Sequence, residues 1–249
     1  MKVIPKFTEE TGIATYKWSV ADYDACAEGI AKVEADLGPV DILVNNAGIN
    51  PALTPLSELT EAYFDKLCSV NLKGPIRLAT LVAPRMGESG GGSIINIASI
   101  FGLVGSGSIP QASYVASKGA LVNLTRELGA QWARRGVRVN AIAPAFFPSE
   151  MTDEMFDDER SMSWLRRKTP AGRPGAVREL DGALVGHGLE APLANRLHRR
   201  IGPIERHRER ITRRGENIPT TPLHRPSTPS SSVPPTRPSM LATLPCHLK

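Results

Sequence analysis

The apolar positions of this chain repeat with two different periods. Cys26, Ile30, Val33 and Leu37 recur every three or four residues, which predicts a helix capped by Asp22 and stopped by Gly38-Pro39. Ile42 to Val44 is a short unbroken apolar run and predicts a central parallel strand buried on both faces. Residues 13–20 are expected to form a short strand. A long helix is predicted from Ser57 to Met86, with Asn71 in its interior and Pro75 four residues later. Gly90-Gly91-Gly92 introduces a second buried strand, Ser93 to Ser99. From Ser113 to Arg135, Ala120, Leu121, Leu124, Leu128 and Trp132 mark one helix face, and Gly136 ends it. Val137 to Pro144 reads as a third buried strand, and Arg173 to Leu180 as the start of one more helix. Strands alternating with helices predict an α/β fold on a parallel sheet.

Charge divides the 249-residue chain in two. Through Val185 the basic and acidic residues nearly balance, whereas the residues from Gly186 on carry eleven Lys/Arg against four Glu. All five histidines lie in this second part, which has no Asp and is rich in Pro, Arg and Ser. The expected organisation is a folded domain over 1–185 and a disordered basic tail over 186–249. The tail lacks aromatic residues for base stacking, so nucleic acid is not the expected partner. Its composition is expected to reflect an out-of-frame reading of a GC-rich gene rather than a basic arm for nucleic acid. Cys26, Cys68 and Cys246 have no metal-ligand spacing, and no metal site is expected. No segment has the length of a membrane span, the start lacks a signal-type apolar core, and the expected location is the cytoplasm.

The candidate chemistry centres on Tyr114 and Lys118. Four residues apart on a helix, they share a face, and a lysine cation beside a phenol favours the phenolate. Ser99 ends a buried strand at the edge where open α/β sheets bind ligands. Asn45, Asn46 and Gly48 follow the Ile42–Val44 strand at the same edge, where Gly48 leaves room for a ligand against the backbone. Pro75 has no N–H to offer the Asn71 carbonyl, which is thereby released to bind a water.

The order Asp41-Ile-Leu-Val-Asn-Asn-Ala-Gly48, Asn71, Ser99, Tyr114-x-x-x-Lys118 and Val137-Arg-Val-Asn-Ala-Ile-Ala-Pro144 resembles the short-chain dehydrogenase/reductase family over about residues 13 to 185. The resemblance implies catalytic roles for four residues. Tyr114 would be the acid/base, Lys118 would lower its pKa and hold the nicotinamide ribose, Ser99 would orient the carbonyl, and Asn71 would complete a proton relay through water. It implies an NAD or NADP site formed by Asn45, Ala47, Gly48, Tyr114, Lys118, Pro144 and Ser149, with a small carbonyl or alcohol as substrate. It also implies a dimer through the helices carrying Asn71 and Tyr114. The family sheet runs 3-2-1-4-5-6-7, and a partial Rossmann-like, doubly wound parallel sheet lacking its first two strands and its last strand is expected here. The family's pyrophosphate-binding turn, of the Thr-Gly-x-x-x-Gly-x-Gly kind, has no counterpart before Ile13, so impaired activity is expected. Residues 13–49 look most like acetoacetyl-CoA reductases, which suggests a 3-oxoacyl thioester. The alternative is a non-catalytic interaction remnant built from dimerising helices and the basic tail.

Overall fold

The computed structural model describes residues 9–50, 53–107, 109–190, 199–201 and 241–243. Helix α1, Tyr23–Leu37, begins where Asp22 accepts a hydrogen bond from the Ala25 N–H at 3.0 Å. It stops at Gly38, whose φ of 91° suits glycine. Strand β1, Ile42–Asn45, follows directly. The long helix expected over 57–86 is built in three pieces. These are α2, Glu61–Cys68, a π-turn, Ser69–Lys73, and α3, Gly74–Glu88. Strand β2, Gly92–Ile97, leads to helix α4, Ala112–Trp132, and then to strand β3, Val137–Pro144, after a left-handed Gly136 with φ 74°. Two short helices, α5 at Asp153–Asp157 and α6 at Glu159–Lys168, cover the carboxyl ends of the strands, and α7, Asp181–Val185, follows.

The sheet is parallel, with β2 between β1 and β3. Three-residue strands flank it: β4, Arg199–Ile201, beside β3, and β5, Leu241–Thr243, beside β1. Apart from these and residues 186–190, the tail expected to be disordered lies outside the described residues. Both faces of the sheet are covered. Leu43, Ile94, Val137 and Val139 point into the main core, where Ile30, Leu78, Val82 and Met86 of α1 and α3 also lie. Ile42, Val44, Ile95 and Ile142 point the other way, against Leu180, Ala183 and Leu184. Period-two alternation with apolar residues on both sides is the signature of an interior parallel strand.

One expected element does not form. Residues 12–19 have no regular secondary structure, and β5 holds the place beside β1. A strand is stabilised by a partner, and without one, side-chain packing decides the path of this segment. The Trp18 ring lies flat on α1, so close that a Cβ at Gly29 would stand 2.5 Å from it. The Tyr16 hydroxyl donates to Asp36 at 3.0 Å. Val20 is buried beside Gly74, where a Cβ would lie 3.2 Å from the valine.

Candidate active site

Asn45, Ser99 and Pro144 lie at or just past the carboxyl ends of three adjacent parallel strands, so chain direction alone puts them on one edge. Helix α4 begins beside that edge and carries Tyr114 and Lys118 one turn apart. Ser99 is extended, with φ −162°, and its Oγ accepts from the Phe101 N–H at 3.2 Å, capping a short 3-10 turn. Its side chain lies close enough to the Tyr114 hydroxyl to favour the phenolate. Both residues line a cavity of about 1250 Å³, walled by Phe101, Ile109, Phe146 and Trp164 and roofed by α5 and α6. Phe146 stacks edge-on to Phe101 and to Trp164, with ring centres 5.8 and 5.6 Å apart.

Lys118 lies behind this pair and is only 4% exposed. Its Nζ donates to the Ile97 carbonyl at 2.8 Å and stands 5.8 Å from the centre of the Tyr114 ring. The lowered tyrosine pKa expected from the spacing is not what this geometry gives. Burial pushes the Tyr114 phenol above its ordinary value, and the nearby Ser99 hydroxyl pulls it partway back. The ammonium is turned toward the end of β2, and desolvation of the phenol is the larger effect.

Asn71 sits in the π-turn and is fully buried. The Gly74 N–H bonds back five residues to Ser69, and Pro75 follows as the second residue of α3. Such π-turns recur at functional sites. The Asn71 side chain clamps the loop after β1: its Oδ1 accepts from the Ile49 N–H at 2.7 Å, and its Nδ2 donates to the Ile49 carbonyl at 2.9 Å and to Ser117 Oγ at 3.2 Å. This clamp, rather than the carbonyl freed by Pro75, is the Asn71 interaction that the structure displays. Gly48 is held beside it. A Cβ there would stand 3.3 Å from Lys118 Nζ and 3.6 Å from Asn71 Oδ1.

Asn45 is buried, and its amide donates to Asn96 Oδ1 at 2.9 Å, while Asn96 donates to Thr125 Oγ1 at 2.9 Å. This chain ties β1 to β2 and β2 to α4. Ala47 is half-buried. Pro144 is half-buried and Ser149 exposed, with Ser149 Oγ 3.0 Å from Thr152 Oγ1. Tyr114, Ser99, Lys118, Asn71 and Gly48 thus converge, whereas Ser149 stands out on the loop after β3.

Sequence reasoning missed two polar residues on the cavity wall, Asn50 and Gln111. The signal was a Pro-Gln pair directly before the Tyr114 helix, hidden in what reads as an ordinary loop. The spacing Gly182-x-x-x-Gly186-x-Gly188 mimics a pyrophosphate turn. The structure places it elsewhere. The His187 carbonyl accepts from Ser93 Oγ at 2.8 Å and from Arg138 at 2.7 Å, at the amino ends of β2 and β3. It is therefore at the wrong edge of the sheet for a nucleotide.

Residues 2–160 match the short chain dehydrogenase family. The chain is 41% identical over 172 residues to a gluconate 5-dehydrogenase of Gluconobacter oxydans, an alignment covering 69% of this chain and 66% of that protein. It is 40% identical over 182 residues to an acetoacetyl-CoA reductase of Shinella zoogloeoides, covering 72% and 73%. Its fold superposes on a gluconate 5-dehydrogenase from Burkholderia cenocepacia, solved in complex with NADP and tartrate, with a TM-score of 0.69 and 37% identity over 75% of this chain and 72% of that one. The chain belongs to the short-chain dehydrogenase/reductase family, a class of NAD(P)-dependent oxidoreductases. It spans about two thirds to three quarters of the length of these relatives.

The residues present fit a nicotinamide cofactor in one half. Gly48 leaves the close backbone approach that such a group needs, and buried Lys118 supplies a cation at the same place. For the pyrophosphate, the described residues ahead of β1 contain no strand and no glycine-rich turn.

Proposed function

We propose that this site interconverts a ketone and a secondary alcohol, with NAD or NADP as the hydride carrier. The observation that carries the reading is the contact between Ser99 and Tyr114 on the wall of a large cavity, with Lys118 and Asn71 buried behind them. When bound, the nicotinamide supplies or accepts the hydride. The chain's own residues handle the proton and the positioning. Ser99 holds the substrate oxygen, and Tyr114, protonated at neutral pH, gives that oxygen its proton in the reducing direction. Lys118 fixes a ribose hydroxyl. Asn71 keeps the Gly48–Ile49 backbone in place and, through its carbonyl, orders the water that returns the proton. Phe101, Phe146 and Trp164 exclude bulk water from the reacting carbon.

A 3-oxoacyl thioester is one substrate for this site, by similarity to the acetoacetyl-CoA reductase, and a sugar acid is the other, by similarity to the gluconate dehydrogenase. We further propose that the 249-residue chain works poorly. If the pyrophosphate contacts are worth about 4 kcal/mol, cofactor affinity falls about a thousandfold without them. The chain pairs as a dimer through the helical segments that carry Asn71 and Tyr114.

The test is nicotinamide absorbance with a ketone panel. Little turnover is expected from the chain itself. Turnover should return when a family member's amino-terminal strands and last strand are joined to residues 13–185, and Tyr114→Phe in that fusion should remove it. A fusion that binds cofactor yet reduces no ketone would refute the reading and favour a non-catalytic dimer.

A further inference from the structure

Gly102 ends the 3-10 turn, Ile100–Gly102, that Ser99 caps. Its N–H donates to the Ser99 carbonyl at 2.9 Å, which ties the two ends of the turn together. The turn rests on α4 backbone to backbone. A Cβ at Gly102 would stand 2.6 Å from the Lys118 carbonyl oxygen, 2.8 Å from its carbon and 3.2 Å from the Gly119 nitrogen. Real Cβ atoms essentially never show the first two distances, and the atoms met are helix backbone, with no flexible end to yield. Gly102 is not among the glycines with positive φ, so close contact, and not backbone conformation, calls for glycine here. The requirement is one-sided. A Cβ at Gly119 would lie 3.7 Å from the Gly102 carbonyl oxygen, an ordinary contact.

The two spans that meet at this contact have the same length. Gly102 lies three residues past Ser99 in a 3-10 turn, which rises about 6 Å. Lys118 lies four residues past Tyr114 in an α-helix, which also rises about 6 Å. With Gly102 seated on Lys118, Ser99 comes level with Tyr114. We propose that Gly102 is a positioning residue, and that its contact with the Lys118 backbone sets the distance between the Ser99 hydroxyl and the Tyr114 phenol. A methyl group at this point has to lift the turn off α4 by most of an ångström, and Ser99, bonded to Gly102, rises with it. The Ser99 hydroxyl then no longer favours the phenolate. The proposal rests on the oxidoreductase reading only for what the phenol does, and the contact itself is tested without turnover.

The experiment uses the full 249-residue chain with ¹³C at the tyrosine Cζ, whose NMR shift reports hydrogen bonding and ionisation of the phenol. The Tyr114 signal is the one that Tyr114→Phe removes. Ser99→Ala should move that signal at neutral pH and raise its titration midpoint by about one pH unit. Gly102→Ala should reproduce both changes, and should add nothing further in the Ser99→Ala background. Gly105→Ala, in the same loop but where a Cβ meets nothing within 4 Å, should leave the signal where the parent has it. Lys118, Glu154, Asp158, Glu159, Arg160 and Arg167 face the phenol or its cavity and are the same in every variant, so the comparison cancels their charges. If the chain unfolds before the phenol titrates, the shift at neutral pH decides. If Gly102→Ala does not fold, Gly119→Val takes its place. Its methyls reach past the 3.7 Å contact and press on the Gly102 carbonyl from the helix side, with Gly119→Ala as the reference. A Tyr114 signal unmoved by these substitutions, or moved equally with and without the Ser99 hydroxyl, would overturn the proposal. Failure of the redox reading would show separately, as a signal that behaves as described while the cofactor-competent fusion binds cofactor and reduces no ketone.

Discussion

Asn71 holds the backbone of Ile49 at both of its polar atoms, accepting from the N–H at 2.7 Å and donating to the carbonyl at 2.9 Å. One side chain in a helical segment thereby fixes the loop after β1 that carries Gly48. Both Asn71 and Ile49 are buried, so neither backbone group has water to fall back on.

Asn71→Ala should cost stability out of proportion to its size. It strands a buried N–H and a buried carbonyl, each worth about 1–3 kcal/mol when unpaired. The expected loss is about 3 kcal/mol, read as a lower urea midpoint with an unchanged slope. A loss under about 0.5 kcal/mol would mean that the loop finds other partners.

Gly48→Ala tests the close approach. The new methyl would stand 3.3 Å from Lys118 Nζ, tighter than ordinary contact, and 3.6 Å from Asn71 Oδ1. The ammonium is the far end of a flexible side chain and can yield, but only by loosening its 2.8 Å bond to Ile97. A cost of about 1 kcal/mol is expected, together with weaker nicotinamide binding in the cofactor-competent fusion. Unchanged binding there would show that Gly48 is not part of the cofactor wall.

Gly29→Ala should dislodge Trp18. A Cβ would lie 2.5 Å from the indole, and the ring has to leave the face of α1. A red-shifted tryptophan emission and a loss of about 1–3 kcal/mol are expected. An unchanged spectrum would show that residues 13–20 are not packed as described.

This same segment shows where the sequence stops being informative. Ile42–Val44 and Val137–Pro144 could be read as strands because a buried parallel strand is apolar on both faces, whatever its neighbours. Residues 13–20 have similar composition, but their state depends on a partner, and partners are not written in local pattern. Tyr114, Lys118 and Ser99 could be placed because helix period and strand direction fix them. Gln111 could not, because nothing in its neighbours says that its amide would be buried with one hydrogen bond. The Asn71 clamp was half legible: Pro75 pointed to an irregular helix there, but the bonds to Ile49 depend on how the loop after β1 folds back.

The Tyr114 phenol gives the last prediction, in which the sign matters. Its folded pKa is raised, chiefly by burial, with Ser99 opposing. An unfolded tyrosine ionises near 10. Below that pH both states keep the proton, and the contribution to stability is fully present. Above it the unfolded chain loses its proton first, so stability falls with rising pH until the folded phenol ionises as well. The slope in that window is at most about 1.4 kcal/mol per pH unit. Urea midpoints measured from pH 8 to 11 should therefore fall more steeply in the parent chain than in Tyr114→Phe. The difference between the two curves isolates Tyr114, because Tyr16, Cys26 and Cys68, whose pKa values are also raised, titrate in both. Ser99→Ala removes an interaction that stabilises the phenolate and should extend the falling region to higher pH. Parallel curves for the parent and Tyr114→Phe would contradict a phenol held protonated by burial, and with it the assignment of Tyr114 as the proton donor at neutral pH.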